Sequence, residues 1–362
     1  MTISVHRSTQ PRSAEQRAAI LAEPGFGRYF TDHMVRIDWT AANGWSAGEV
    51  VPYGPLSLDP ATMVLHYGQE IFEGLKAYRQ PDGSIALFRP EANAARFQRS
   101  AGRLAMPELP TELFLDSIRA LVGIDHEWVP TAADSSLYLR PFMLATEVGL
   151  GVKPANSFTY LLIASPAGAY FTGGVKPVSV WLSTEYTRAA PGGTGEAKCG
   201  GNYAASLIAQ ADATAQGCDQ VVWLDGAEHR WVEEMGGMNL YFVYGSGPTA
   251  RILTPALTGT LLPGITRDSL LTLSRELGYL AEEGRLCIED WQADNESGAL
   301  TEVFACGTAA VITPVGFVKG RQASWTVGDG RPGPVTTALR AALLDLQTGL
   351  VPDRRGWMTT LA

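Results

Sequence analysis

Two apolar, strand-like runs stand near the middle of the 362-residue chain, SSLYLRPFMLAT at 135–146 and FTYLLIASPAG at 158–168, and both read as buried sheet. The next stretch, AYFTGGVKPVSVWLS, breaks the apolar pattern with Gly173-Gly174 and Lys176-Pro177. Such a break between apolar strands marks a linker, here at 171–177. The length exceeds one ordinary core and suits two domains of roughly 150–200 residues each. The expected division is therefore residues 1–170, with 1–22 as a polar tail, and residues 178–362.

Each half mixes strands with helices. FTDHMVRIDW (30–39), GWSAGEVVPYG (44–54) and, after its Asp-Gly turn, DGSIALFRP (82–90) read as short strands. EANAARFQRSAGRLAM sets Ala95, Arg99, Gly102 and Met106 at helical spacing, and ELFLDSIRALVGID predicts a second amphipathic helix. In the second half LLPGITRDSLLTLSRELG (261–278) is a Pro-Gly turn running into a helix with Leu270, Leu273 and Leu277 on one face, and TEVFACGTAAVITPVG (301–316) is a strand interrupted by a small-residue turn. The fold class is a mixed α/β (α+β) chain.

The net charge of −9 and the scattered Lys and Arg residues speak against nucleic acid or an anionic membrane as the partner, and point to small molecules. Cys199, Cys218, Cys287 and Cys306 form no C-x-x-C pair and have no neighbouring histidine, so no metal site is expected and the thiols read as reduced. With no apolar stretch in the first twenty residues and no run of about 18 apolar residues, the expectation is a soluble, cytoplasmic protein.

The common hydrolase, phosphate-loop and zincin motifs are missing, and the glycine-rich stretch at 192–201 departs from the dinucleotide pattern. What that stretch does carry is Gly195-Glu196-Ala197-Lys198-Cys199-Gly200-Gly201-Asn202-Tyr203. Most lysines are solvated surface charges. Lys198, one of five lysines against 23 arginines, is set among small residues beside an aromatic hydroxyl. A partly desolvated amine is a nucleophile near neutral pH, and only lysine forms an imine with an aldehyde. An aldehyde cofactor bearing a phosphate needs an anion seat. Leu262-Pro263-Gly264-Ile265-Thr266 offers free N–H groups at a helix start, and Gly307-Thr308-Ala309-Ala310 offers a hydroxyl and amides, although an ordinary turn and plain close packing read the same way. Glu233 and Glu234 precede Met235-Gly236-Gly237-Met238-Asn239; on a strand one faces inward and the other solvent, so one can meet a ring nitrogen.

Taken in order, PGFGRYFTDHM (24–34), LHYGQEIFEGLKAY (65–78), FRPEANAARF (88–97), LYLRPF (137–142), GLGVKP (149–154), PGGTGEAKCGGNYA (191–204), EEMGGMN (233–239), LLPGITRDSL (261–270) and TEVFACGTAAVITPV (301–315) resemble the branched-chain amino-acid aminotransferases of pyridoxal-phosphate fold class IV, over almost the whole chain. The resemblance implies a smaller N-terminal α/β domain, a larger C-terminal cofactor-binding domain, pyridoxal 5'-phosphate between them, and a homodimer. It makes Lys198 the residue that carries the cofactor, Tyr203 the partner of its ring oxygen and Glu234 the partner of its ring nitrogen. Arg96, the backbone of Ile265 and Thr266, and Thr308 would hold the phosphate.

For substrate the resemblance points to Phe26, Tyr67, Phe72, Tyr138 and Arg140, to the amide of Ala309 for the α-carboxylate, and to Leu150 and Val152 arriving from the partner subunit. Each of these aromatics otherwise reads as core. The implied reaction moves the amino group of leucine, isoleucine or valine to 2-oxoglutarate by a ping-pong scheme. A D-amino-acid aminotransferase and an aminodeoxychorismate lyase share the fold, but LHYGQEIFEGLKAY and LYLRPF favour the branched-chain branch. The C-x-x-C switch of mammalian relatives has no counterpart, since Ala310 and Thr313 stand at those positions.

Overall fold

The computed structural model describes residues 3–168 and 175–361. The chain divides into two compact units, one made of Met1–Tyr170, Ala197–Gly200 and Asp345–Ala362, the other of Phe171–Glu196 and Gly201–Leu344. The expected linker, 171–177, falls largely on residues 169–174, outside the described residues. The expected second domain, 178–362, gives up two pieces to the first unit. One is the segment around Lys198, and the other is the C-terminus, whose strand Met358–Leu361 pairs antiparallel with Ile85–Phe88.

In the first unit the central strands are the two apolar runs, now Ser136–Ala145 and Ser157–Ala167, paired antiparallel along their length. His33–Thr40 and Glu49–Pro52 extend the sheet on one side, and Leu75–Arg79, Ile85–Phe88 and Met358–Leu361 on the other. The helices Pro90–Arg103 and Thr111–Ile124 cover it, with Phe97, Phe114 and Tyr160 meeting ring to ring in the core. The buried face of Pro90–Arg103 is Asn93, Ala94, Arg96, Phe97, Ser100 and Ala101, whereas Arg99 and Gly102 are exposed. The helical spacing of Ala95, Arg99 and Gly102 holds, while Met106 lies past the helix end and is buried. Phe97 sets the orientation, and small residues on the other side carry too little apolar area to compete.

The polar tail is also structured. Ser4–Val5 joins the sheet beside Glu49–Pro52, and Ala14–Ala22 is a helix whose Ser13 and Gln16 form a reciprocal capping box.

In the second unit Val232–Met235 pairs with both Gln220–Leu224 and Met238–Tyr244, so that among the described residues six strands close into a ring through Val178–Ser183, Val311–Lys319 and Leu300–Gly307. All four residues of Val232–Met235, one strand of that ring, are buried. Glu233 is therefore buried like its neighbour Glu234, and the expectation of one solvated glutamate is corrected. The helix Ile265–Glu276 buries Leu270 and Leu273, but Leu277 lies past its end and is exposed.

Candidate active-site residues

In the first unit the backbone around Lys198 is fixed on both sides. Its N–H donates to Ser100 Oγ at 2.9 Å, its carbonyl accepts from the N–H of Phe72 at 2.9 Å, and the N–H of Gly200 donates to Glu70 Oε1. A side chain at Gly200 would collide with that carboxylate, which explains the glycine. The half-buried Lys198 then sets Nζ 4.8 Å from the centre of the Phe72 ring. Burial alone would have selected Lys76, which is 8% exposed.

The same Phe72 ring carries Arg140, whose guanidinium lies 4.9 Å from its centre and 5.3 Å from that of Tyr138. Arg140 Nη2 donates to the Tyr138 hydroxyl at 3.2 Å, while Arg140 Nε is buried without a hydrogen-bond partner. Phe26 meets Tyr138 edge to face at 5.0 Å, and the hydroxyl of Tyr138 fits only because Gly74 has no side chain. Tyr67 donates to the Leu150 carbonyl at 2.6 Å, and Leu150 and Val152 are exposed, at 69% and 85%. Five of the expected residues, Lys198, Phe72, Arg140, Tyr138 and Phe26, thus form one cluster. Tyr67 and Leu150 form a second contact, and Val152 stands out in solvent.

Arg96 has a partner that no motif announced. Glu73, fully buried, accepts from Arg96 Nε at 2.7 Å and Nη2 at 2.9 Å, and from Asn93 Nδ2 at 2.7 Å. Burial pushes the Glu73 carboxyl up, but the charge and hydrogen bonds of Arg96, with help from Lys198 and Asn93, hold it below its ordinary value. The bidentate fork fixes the direction in which the guanidinium faces. Glu70 goes the other way: burial raises it against the pull of the Gly200 N–H and of Arg140.

In the second unit Glu234 stands opposite Asn239 across the tight turn at Gly236-Gly237, where Gly236 takes φ +56°. Its Oε1 accepts from the N–H of Leu262 at 2.6 Å and from Asn239 Nδ2 at 3.3 Å, and its Oε2 lies 3.1 Å from Arg188 Nε. That last contact is an ion pair rather than an aligned hydrogen bond. Glu234 is 2% exposed, so a carboxylate there needs this arginine. Asn239 also donates to the Leu262 carbonyl at 3.0 Å, and Gly264 leaves room for its amide, which ties the glutamate to the turn leading into Ile265–Glu276.

That helix begins at Gly264 with no side-chain cap, so the amides of Ile265 and Thr266 open its positive end. Thr308 and Ala309 are half-buried in the turn between Leu300–Gly307 and Val311–Lys319. Tyr203 closes on Gly237, where any side chain would press on its ring. Among the described residues no cluster of three or more His, Cys, Asp or Glu is arranged to hold a metal ion.

Glu70, Glu73, Ser100, Arg188 and Asn239 join the expected residues here. Asn239 was readable as the cross-strand neighbour of Glu234, and the two glutamates Glu70 and Glu73 lie within QEIFEG. Arg188 carries no sequence signal; only the fold brings it to Glu234.

Comparison with known proteins gives a consistent result. The family described as Amino-transferase class IV matches residues 70–316. A protein of Streptomyces coelicolor named probable branched-chain-amino-acid aminotransferase is 65% identical over the whole chain and 99% of its own length. The branched-chain-amino-acid aminotransferase of Mycolicibacterium smegmatis is 62% identical over the whole chain and 98% of its own. Among solved structures, the Escherichia coli branched-chain amino acid aminotransferase is similar with a TM-score of 0.75 and 30% identity, over 90% of this chain and 99% of that one.

Proposed function

The chain belongs to the class IV aminotransferases, and from that premise we propose that it uses pyridoxal 5'-phosphate to move the amino group of leucine, isoleucine or valine to 2-oxoglutarate. The observation that carries this reading is the shared Phe72 ring, which has the Lys198 amine at 4.8 Å and the Arg140 guanidinium at 4.9 Å. A nucleophilic amine, an apolar wall and a cation are what a site needs to serve both a branched side chain and a second carboxylate. Relatives of 65% and 62% identity with the branched-chain name support the same substrate class, and leave the D-amino-acid and lyase alternatives unfavoured. A similar branched-chain amino acid aminotransferase structure, 31% identical, holds pyridoxamine 5'-phosphate, which supports the cofactor.

The residues fit the cofactor. When bound, pyridoxal phosphate supplies an aldehyde for the amino group and a ring that takes up an electron pair. Lys198, fixed by Ser100 and Phe72, offers the amine and then moves the proton at the substrate's α-carbon. Glu234, paired with Arg188 and the Leu262 amide, would hold a proton on the ring nitrogen, and Tyr203 would meet the ring oxygen. For the phosphate, the uncapped amides of Ile265 and Thr266 with Thr308 would offer donors in the second unit, and Arg96, aimed by Glu73, would offer a cation in the first. In the first unit Phe26, Phe72 and Tyr138 would wall the side chain, and in the second the Ala309 amide would take the α-carboxylate.

The same reading includes an N-terminal and a C-terminal domain, a cytoplasmic setting and a homodimer. Four buried, unpaired cysteines support a reducing compartment. The exposed Leu65, Tyr67, Val148, Leu150 and Val152 support an apolar face that a second copy covers, with Leu150 and Val152 reaching the partner's substrate. Among the described residues no helix is long and apolar enough to cross a membrane. A screen of amino donors against 2-oxoglutarate tests the function: glutamate is expected from L-leucine, L-isoleucine and L-valine, and turnover confined to D-amino acids would overturn it.

A further inference from the structure

Glu233 has no place in the mechanism above, yet it is 5% exposed, and its Oε2 is buried with no hydrogen-bond partner. Its Oε1 accepts from Thr260 Oγ1, and the carbonyl of the same Thr260 accepts from Arg188 Nη2. Arg188 is thus tied through one residue to Glu233 and directly, at 3.1 Å, to Glu234. Two buried carboxyls share one arginine. With both ionised the cluster carries a net negative charge in a low-dielectric interior, and one carboxylate oxygen lacks a donor; with Glu233 protonated the cluster is neutral.

We propose that Glu233 is a positioning residue for Glu234: protonated, it leaves the charge of Arg188 to Glu234, and ionised, it divides that charge between the two. The charged groups facing it agree. Arg188 and, from the segment after Leu280–Gly284, Arg285 favour its ionisation, while Asp225, at the end of Gln220–Leu224, opposes it. Asp225 accepts four backbone N–H bonds from its own loop and stays anionic, and the guanidinium of Arg285 lies 4.0 Å from the centre of the Trp231 ring. Burial outweighs the two arginines and raises the Glu233 carboxyl.

The consequence rests on Glu234 meeting a protonated ring nitrogen, as proposed above. Ionising Glu233 loosens Arg188 from Glu234 and adds negative charge nearby. The site then holds a cationic ring more tightly as pH rises through the Glu233 titration.

Two measurements on the full chain test this. First, infrared spectra of the cofactor-free protein taken along a pH titration should show a carboxyl band that stays protonated above the ordinary carboxylate range and that Glu233→Gln removes; a wild-type titration without such a band overturns the proposal and leaves the functional reading standing. Second, calorimetric titration with pyridoxal 5'-phosphate, repeated from the carboxylate range to mildly alkaline pH, should show the dissociation constant falling roughly tenfold across a one-proton step. Glu233→Gln should abolish the step, and its persistence there overturns the proposal. Should that variant fail to fold, Thr260→Val keeps the carboxyl and removes its donor, so the step should move to higher pH, and an unmoved step is equally fatal. Failure of the wild type to bind pyridoxal phosphate at any pH would instead sink the functional reading.

Discussion

Glu73–Arg96 in the first unit and Glu233–Arg188–Glu234 in the second are both buried ion clusters, and they differ in their arithmetic. The first pairs one carboxylate with one guanidinium, adds Asn93 and the Gly74 N–H, and leaves the carboxylate saturated. The second sets two carboxyls against one arginine and leaves Glu233 Oε2 bare. A balanced pair holds a shape. An unbalanced cluster keeps charge in reserve for something that binds, and the carboxylate in it with the better donors, Glu234, is the one suited to receive a cation.

The largest expected effect falls on the residue that the first unit holds in place. Lys198→Ala should lower turnover by roughly a thousandfold or more, the scale of lost general acid and base catalysis with lost nucleophilic help. Because the phosphate contacts remain, pyridoxal phosphate should still bind; steady-state rates beside a binding titration check this, and near wild-type turnover would break the assignment. Next, Glu73→Gln should destabilise the protein by about 3–5 kcal/mol, since it removes the buried carboxylate to which Arg96 Nε and Nη2 both donate. Denaturant unfolding measures it. A loss below about 1 kcal/mol would mean that Arg96 finds another counter-charge and the balanced-pair description fails.

The contrast also separates what the sequence revealed from what it hid. The long central strands, the mixed fold and the family were legible because apolar runs and spaced glycines are local signals. The helix Pro90–Arg103 was legible as a helix but not in its orientation, because its buried face includes Asn93, Arg96 and Ser100, and a search for apolar spacing passes over polar residues that bond inward. Glu233 was misjudged for a related reason: alternation predicts one solvated face only for a sheet that has one, and Val232–Met235 belongs to a closed ring. Ser13 and Gln16 spell a capping box within the polar tail. Arg188 had no local signal at all.

Arg140 extends the comparison to an arginine with no carboxylate bonded to it. Its charge rests on the Phe72 and Tyr138 rings, and its Nε has no partner. In the proposed reading it would tolerate an apolar substrate and still have donors to offer a second carboxylate. Arg140→Ala should therefore weaken the 2-oxoglutarate half-reaction by about 2 kcal/mol, the scale of a charge-assisted hydrogen bond, with a much smaller change for leucine. Stopped-flow traces of each half-reaction decide it, and equal losses would mean that the arginine shapes the ring cluster in general.

The smallest effect is the one in which the two clusters should differ in sign. Glu73 is held below its ordinary value, so its contribution to stability is present above the unfolded carboxyl's titration and is lost as pH falls through the folded value. Glu233 is raised, so its contribution is present below the unfolded value and is lost as pH rises through the folded one. Once Glu233 is ionised, wild type therefore bears the strain of a carboxylate with a bare oxygen, which an amide of the same shape relieves. Glu233→Gln is expected to leave stability unchanged or to raise it by about 1 kcal/mol on the alkaline side, where Glu73→Gln lowers it throughout. Unfolding free energies of the two variants across pH give two curves to set against wild type: the Glu73 variant should lose the acid limb of the profile, and the Glu233 variant should flatten the alkaline limb. If Glu233→Gln instead costs as much as Glu73→Gln at every pH, the second cluster is as balanced as the first, and Glu233 is a structural carboxylate with an undetected donor.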